Sequence, residues 1–366
     1  MRKHITIFSG YNQRAVIAFL RVLKRCEIRS FSVIASSEND MILKTDYRNH
    51  VFYIRKHKEL DIGEFTELFI RLKKEKNVDE IIVLPSTEAL NRFVLDNREY
   101  FKRINVSIPL VDKKVYELVS DKEKFWTYCK GKNITVPTVF DFPKEYSVRF
   151  VAKPKEYIGH DGKAHTPCLI LSQNDYTQFV RENEINDFTY QEYIEGRSYY
   201  LLYYFMRDGG VIKFSQINYL QQPGGKSIVM AAPAEIHHEA ISEKYEAEIK
   251  KLNFTGLLMI EIRERNNEYY MIEANPRLWG PSQLFVDAGI PFFETFLNEY
   301  GFLKESSGFY ENADIRYYWS GGGRMKNCFW HEGGEQDFLK NSILYEQFDI
   351  YKRSDTIAIY KMEGEI

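Results

Sequence analysis

Glu273-Ala274-Asn275-Pro276-Arg277 closes an apolar run, Tyr269-Tyr270-Met271-Ile272, that reads as a β-strand. Successive side chains on a strand point to opposite faces, so Glu273, Asn275 and Arg277 share one face, with Ala274 and Pro276 on the other. A carboxylate, an amide oxygen and a guanidinium thereby converge on one small volume. Hard oxygens suit a magnesium ion, and a planar cation suits phosphoryl oxygens. Taken alone, the same residues also describe a strand end whose Asn-Pro opens a turn and whose Glu and Arg pair at the surface.

A second strand-like run lies upstream, Gly256-Leu257-Leu258-Met259-Ile260-Glu261-Ile262-Arg263. Residues 264–268, with two adjacent asparagines, read as the turn between the two runs. Centring that hairpin on Asn267 sets Glu261 directly opposite Glu273. Two carboxylates facing each other across a ladder repel, and a divalent cation between them reverses the sign of that term. A slip of one residue would turn Glu261 to the other face.

A glutamate on one strand, then Glu-x-Asn-Pro-Arg on the next, resembles the metal-binding end of the ATP-grasp superfamily. The continuation Leu278-Trp279-Gly280-Pro281-Ser282 resembles its carbamoyl-phosphate-synthase-like branch of carboxylate–amine ligases. The resemblance implies that Glu261, Glu273 and Asn275 hold magnesium, or manganese, on the phosphates of ATP. It also implies that Arg277 contacts the transferred phosphoryl group or an acyl phosphate.

Further landmarks of that superfamily follow in order. Phe150-Val151-Ala152-Lys153-Pro154 is an apolar strand whose Lys153 resembles the lysine that contacts nucleotide phosphates; the plainer reading is a lysine at a strand edge. Tyr190-Gln191-Glu192-Tyr193-Ile194-Glu195-Gly196 resembles the hinge that lines adenine, where the backbone of Glu192, Tyr193 and Ile194 would pair with the base edge. Ser120-Asp121-Lys122-Glu123-Lys124 resembles the Asp-Lys segment opening the first half of the grasp, with Lys122 toward the nucleotide. Ser-Asp before an amphipathic run is also an ordinary helix cap. One position departs from the pattern. Two residues after Gly196 the superfamily usually carries a glutamate for the ribose hydroxyls, and this chain has Ser198, so Ser198 or Glu195 would take that role. Residues 156–165, with Gly159 and Gly162, resemble a sparse phosphate-covering loop.

Composition bounds the alternatives. A net charge of -2 argues against a nucleic-acid footprint, which needs a basic domain. Cys26, Cys129, Cys168 and Cys328 show no C-x-x-C spacing and read as reduced thiols of a cytoplasmic protein. No run approaches 18 apolar residues, so no membrane span is expected, and the apolar run 5–8 is too short for a signal-peptide core. His160, His165, His237 and His238 lack a zinc spacing with cysteines; the adjacent pair His237-His238 is expected to diverge on a regular element.

The expected fold class is α/β. Residues 1–112 alternate strand and helix and predict a doubly wound parallel-sheet domain. The resemblance then implies a two-subdomain ATP-grasp fold, α+β halves clasping ATP over 113–190 and 191–300, and a short C-terminal extension over 301–366 with a closing strand at 356–360. Glu88, just past the strand 80–85, either faces an acceptor substrate or serves as the first-turn carboxylate of a helix. The loop around Lys226 reads as a surface connection, with closure over an acyl phosphate as the alternative. The expected activity is ligation of a small-molecule or peptide carboxylate to an amine through an acyl phosphate, in a chain that binds neither nucleic acid nor membrane and is a possible homodimer. A grasp-fold kinase and a catalytically silent nucleotide-binding protein remain open at this point.

Overall fold

The computed structural model describes residues 1–155, 167–304 and 314–365. The loop expected over phosphates, residues 156–165 with His160 and His165, lies outside the described residues. The chain opens with a five-stranded parallel sheet in the order Val51–Ile54, Phe31–Ala35, Lys3–Phe8, Glu80–Val83, Val106–Ser107. Both faces of these strands are covered. Ile5, Ile7, Val33 and Ile82 pack with Val16, Phe19 and Leu20 of the helix Gln13–Arg25. Phe8, Ile34, Ile81 and Val83 pack with Phe65 and Phe69 of the helix Ile62–Lys76. Near-continuous apolar strands are what a sheet buried on two sides requires.

Two antiparallel sheets follow. The smaller runs Val139–Phe140, Phe188–Glu192, Phe150–Pro154, Cys168–Ile170 around a core of Phe150, Phe179 and Tyr190. The larger runs Glu268–Asn275, Gly256–Arg265, Arg197–Phe205, Val211–Gln221, Ile228–Ala234, Tyr317–Tyr318, with Phe329–Trp330 added along Val211–Gln221. The helices Lys113–Ser120 and Lys122–Gly131 pack into this larger sheet, where Tyr116, Val119, Phe125 and Cys129 meet Leu201, Leu258 and Ile260. The start of the expected first subdomain therefore belongs to the second by packing.

The C-terminal extension is woven into the large sheet through its two short strands. The strand expected at 356–360 is instead the helix Ile357–Glu365. Thr356 and Ile359 are fully buried, whereas Ile357 is 39% exposed. Glu363 accepts from Trp319 Nε1 at 3.1 Å. That inward set has helical spacing, which a short apolar run does not disclose. Arg14 is one of the arginines that tie the three regions together. Arg14 Nη1, from the first domain, donates to Ile228 O at 3.0 Å and to the hydroxyl of Tyr317 at 2.8 Å. Its guanidinium lies 3.8 Å from the centre of the Trp319 ring. Gly280 leaves room for it, since a Cβ there would sit 2.9 Å from Arg14 Nη2.

The hairpin that carries the candidate metal residues turns on Asn266 and Asn267, with φ of 54° and 63° between the paired residues Arg265 and Glu268. A two-residue turn with both φ positive matches the twist of the flanking strands, and asparagine tolerates it. That turn alone would pair Glu261 with Ile272. A bulge at Ile272 shifts the register by one, so Ile262 faces Met271 while Glu261 faces Glu273. The double change N266A/N267A is expected to cost about 1–2 kcal/mol in urea unfolding, because alanine resists the left-handed region; N267G should keep wild-type stability.

Candidate active site

Glu261, on the central strand Gly256–Arg265, and Glu273, on the edge strand Glu268–Asn275, line one cleft with Lys122, Lys153, Arg263, Ile272 and the hinge residues. Glu261 is 6% exposed and its carboxyl is pushed above the usual range. Burial is the main cause, Arg263 opposes it, and Glu273 adds to it. Burial acts the same way on Glu273 and is the largest single influence there, but Lys122, Asn275 and Lys153 together outweigh it and hold that carboxyl low. The Lys122 ammonium sits 2.9 Å from Glu273 Oε2. Lys122 is at the same time the first residue of a helix capped by Asp121, whose side chain accepts from Lys124 N, so the helix-cap reading of that segment holds while Lys122 also lines the cleft. Lys153 is lowered to about 8, first by burial and then by Lys122.

Asn275 and Arg277 continue the line beyond Glu273. Asn275 Nδ2 donates to Glu273 Oε1 at 2.7 Å, and Arg277 Nη2 donates to Asn275 Oδ1 at 2.8 Å. Arg277 Nε lies 3.8 Å from Glu88 Oε2. Glu88 also accepts from Arg92 Nε at 2.7 Å and from the Tyr116 hydroxyl at 2.9 Å, and it occupies the first turn of the helix Glu88–Asp96. A buried and a half-buried carboxylate in register, an amide oxygen beside them and cations around them form a donor set that suits a hard divalent ion bound with a polyphosphate.

The hinge residues Glu192, Tyr193 and Ile194 line the same cleft. The N–H of Glu192 is taken by Thr138 O at 2.8 Å and that of Tyr193 by Arg149 O at 3.2 Å. Among the described residues the Ile194 N–H makes no hydrogen bond, which leaves it available to a base edge. The two ribose candidates are not brought to the cleft wall. Ser198 is fully buried and accepts from Asn218 Nδ2 at 3.1 Å, and Glu195 is taken by Arg149 Nη1 at 2.7 Å on the surface. Gly224 and Gly225 of the following loop line the cleft, whereas Lys226 is exposed elsewhere. His237 and His238 do not diverge as expected: they lie in the tight turn Ile236–His238 with ring centres 4.0 Å apart, outside the cleft wall.

The composition of the extension did not disclose His331, which is 5% exposed beneath the cleft. Its Nδ1 accepts from Arg263 Nη1 at 3.0 Å and its Nε2 donates to Gln221 Oε1 at 2.9 Å. Gln221 Nε2 in turn donates to Gly225 O and Lys226 O, both at 2.9 Å. Arg263 completes the chain with Nη2 at 3.7 Å from Glu261 Oε1. Arg263 follows Glu261 by two residues on one strand, which was the signal in the sequence; nothing local marked its partner. Removing the acceptor in His331→Leu is expected to cost about 1.5–3 kcal/mol in urea unfolding, the range for a hydrogen bond to a charged group. His331→Gln, which can still accept, should recover part of the loss.

Neither a protein-family model nor a curated protein matches the chain. Solved structures do. The biotin carboxylase–beta-gamma-ATP complex from Campylobacter jejuni is similar over 85% of this chain and 74% of its own, at 14% identity and a TM-score of 0.58. An L-amino acid ligase from Bacillus licheniformis matches over 82% and 75%, at 15% identity and 0.56. An N5-carboxyaminoimidazole ribonucleotide synthetase from Thermus thermophilus matches over 84% and 81%, at 17% identity and 0.57. With the sheet orders and the site described above, these similarities show that the chain has the ATP-grasp fold behind an N-terminal parallel-sheet domain.

Proposed function

We propose that the protein is an ATP-dependent ligase that joins a carboxylate to an amine, or a similar nucleophile, through an acyl phosphate. The observation that carries this reading is the facing pair Glu261 and Glu273, with Asn275, Arg277, Lys122 and Lys153 gathered around it. Glu261, Glu273 and Asn275 would hold magnesium, whose charge would offset that of the ATP phosphates. Lys153 and Lys122 present ammonium groups to the same phosphates, and the N–H of Ile194, without a hydrogen bond among the described residues, meets the base. A substrate carboxylate oxygen attacks the γ-phosphorus, the bond to ADP breaks, and an acyl phosphate forms. Arg277 would hold the transferred group. The amine then attacks the acyl carbon, phosphate leaves, and the amine gives up a proton. Positioning and charge stabilisation carry phosphoryl transfer, so no protein nucleophile is required. The names of the compared ligase and synthetase are in line with this reading.

The test has two steps. Mg-ATP at a hundredfold excess over its dissociation constant should stabilise the wild type by ~2.7 kcal/mol, and Glu273→Gln should lose most of that gain while remaining folded. Pools of acids and amines should then release ADP and free phosphate only when both substrate classes are present. ADP without free phosphate would point to a kinase, and no release from any pool to a silent binding protein. A pH dependence follows from Lys153. It is cationic below about 8, so binding must protonate it at higher pH, and Mg-ATP affinity should fall by up to about tenfold per unit above that point. Lys153→Arg should abolish this limb of the profile.

A further inference from the structure

A second pocket, of about 400 Å³, opens at the carboxyl ends of the parallel strands, between the segments that follow Lys3–Phe8 and Glu80–Val83. The strand order reverses between those two strands, which is where open α/β sheets bind ligands. The walls are Phe8, Leu60 and Leu90 on the apolar side and Arg55, Lys58 and Arg277 on the charged side. Glu88 is the acid in the lining, and both its oxygens are already engaged by Arg92, Tyr116 and Arg277. Arg55 and Lys58 have no ion pair among the described residues. Arg55 is pinned in place, with Nη2 donating to Lys58 O and Glu59 O, both at 2.8 Å, and its buried Nε has no partner among the described residues. Three cations around one neutralised acid leave uncompensated positive charge in a space of small-molecule size. At the other end Arg277 joins the pocket to Asn275 and Glu273, and so to the catalytic cleft.

We propose that this pocket binds the amine substrate, and that this substrate carries, away from its reacting amine, a carboxylate or phosphate group held by Arg55 and Lys58. The assignment to the amine substrate rests on the ligase reading. The preference for an anion rests on the pocket alone.

Saturation-transfer NMR and calorimetry on the full chain with Mg-ATP test this with three probes that share a primary amine: β-alanine, O-phosphoethanolamine and ethanolamine. At least one of the two anionic probes should bind, with ethanolamine about tenfold weaker or silent, and the tighter of the two identifies carboxylate or phosphate. Arg55→Met and Lys58→Ala should each weaken that probe about tenfold and leave the Mg-ATP thermal shift intact. The two variants together guard against a loop that moves when Arg55 is lost. Ethanolamine binding as tightly as both anionic probes, no binding of either anionic probe, or undiminished binding in both variants would overturn the proposal with the ligase reading untouched. Anion binding without a Mg-ATP shift in the wild type would keep the anion site and overturn its assignment to a ligase substrate.

Discussion

The apposition of Glu261 and Glu273 is the constraint on which the site depends. Two carboxylates in adjacent strands, one of them almost wholly buried, would repel and weaken the sheet if nothing lay between or around them. The chain does not avoid the conflict; it builds toward it. The Asn266-Asn267 turn sets a register that would place Ile272 opposite Glu261, and the bulge at Ile272 shifts it so that the second carboxylate arrives there. A bulge leaves a residue unpaired and disturbs the ladder, and bulges next to active sites re-aim side chains. Here Ile272 and Glu273 both reach the cleft wall. In the protein alone, Lys122 supplies part of the missing positive charge at Glu273, and Arg263 supplies part at Glu261.

The supporting charges come from distant parts of the chain. Lys122 begins a helix that packs on the large sheet, Lys153 comes from the smaller sheet, and Arg263 is held by His331 from the C-terminal extension. The extension therefore braces the site from behind, while Arg14 fastens the first domain to the same sheet and extension. Gln221 connects this support to the loop above, because its oxygen accepts from His331 and its nitrogen holds the carbonyls of Gly225 and Lys226. A cleft made of two sheets and a covering loop is thus stabilised by a polar network whose members are each bonded to the next.

Much of this was legible in the chain. The alternating strands and helices of the first domain, the hairpin and the facing glutamates were readable because they depend on local periodicity and turn chemistry. Glu273, Asn275 and Arg277 occur on one face as strand geometry requires, and they form a continuous hydrogen-bonded line. The bulge was not legible, since the centre of the turn was placed one-half residue too far along and the error cancelled. His331 was missed because its partner Arg263 lies 68 residues away and only the fold brings them together. Residues 356–360 were misread because four apolar positions fit either period, and burial at Thr356 and Ile359 decides for a helix. Ser198 looked like a reduced ribose contact, whereas its hydroxyl is enclosed against Asn218.

The central claim is that the paired carboxylates exist to hold a metal on a nucleotide. A crystal of the protein grown with Mn²⁺ and a non-hydrolysable ATP analogue tests it directly, because manganese is located by its anomalous signal. The account predicts a peak between the carboxylates of Glu261 and Glu273, with the analogue's phosphates on its far side toward Lys153. A nucleotide bound in the cleft with its manganese away from both carboxylates, or a cleft that takes no nucleotide, would contradict it.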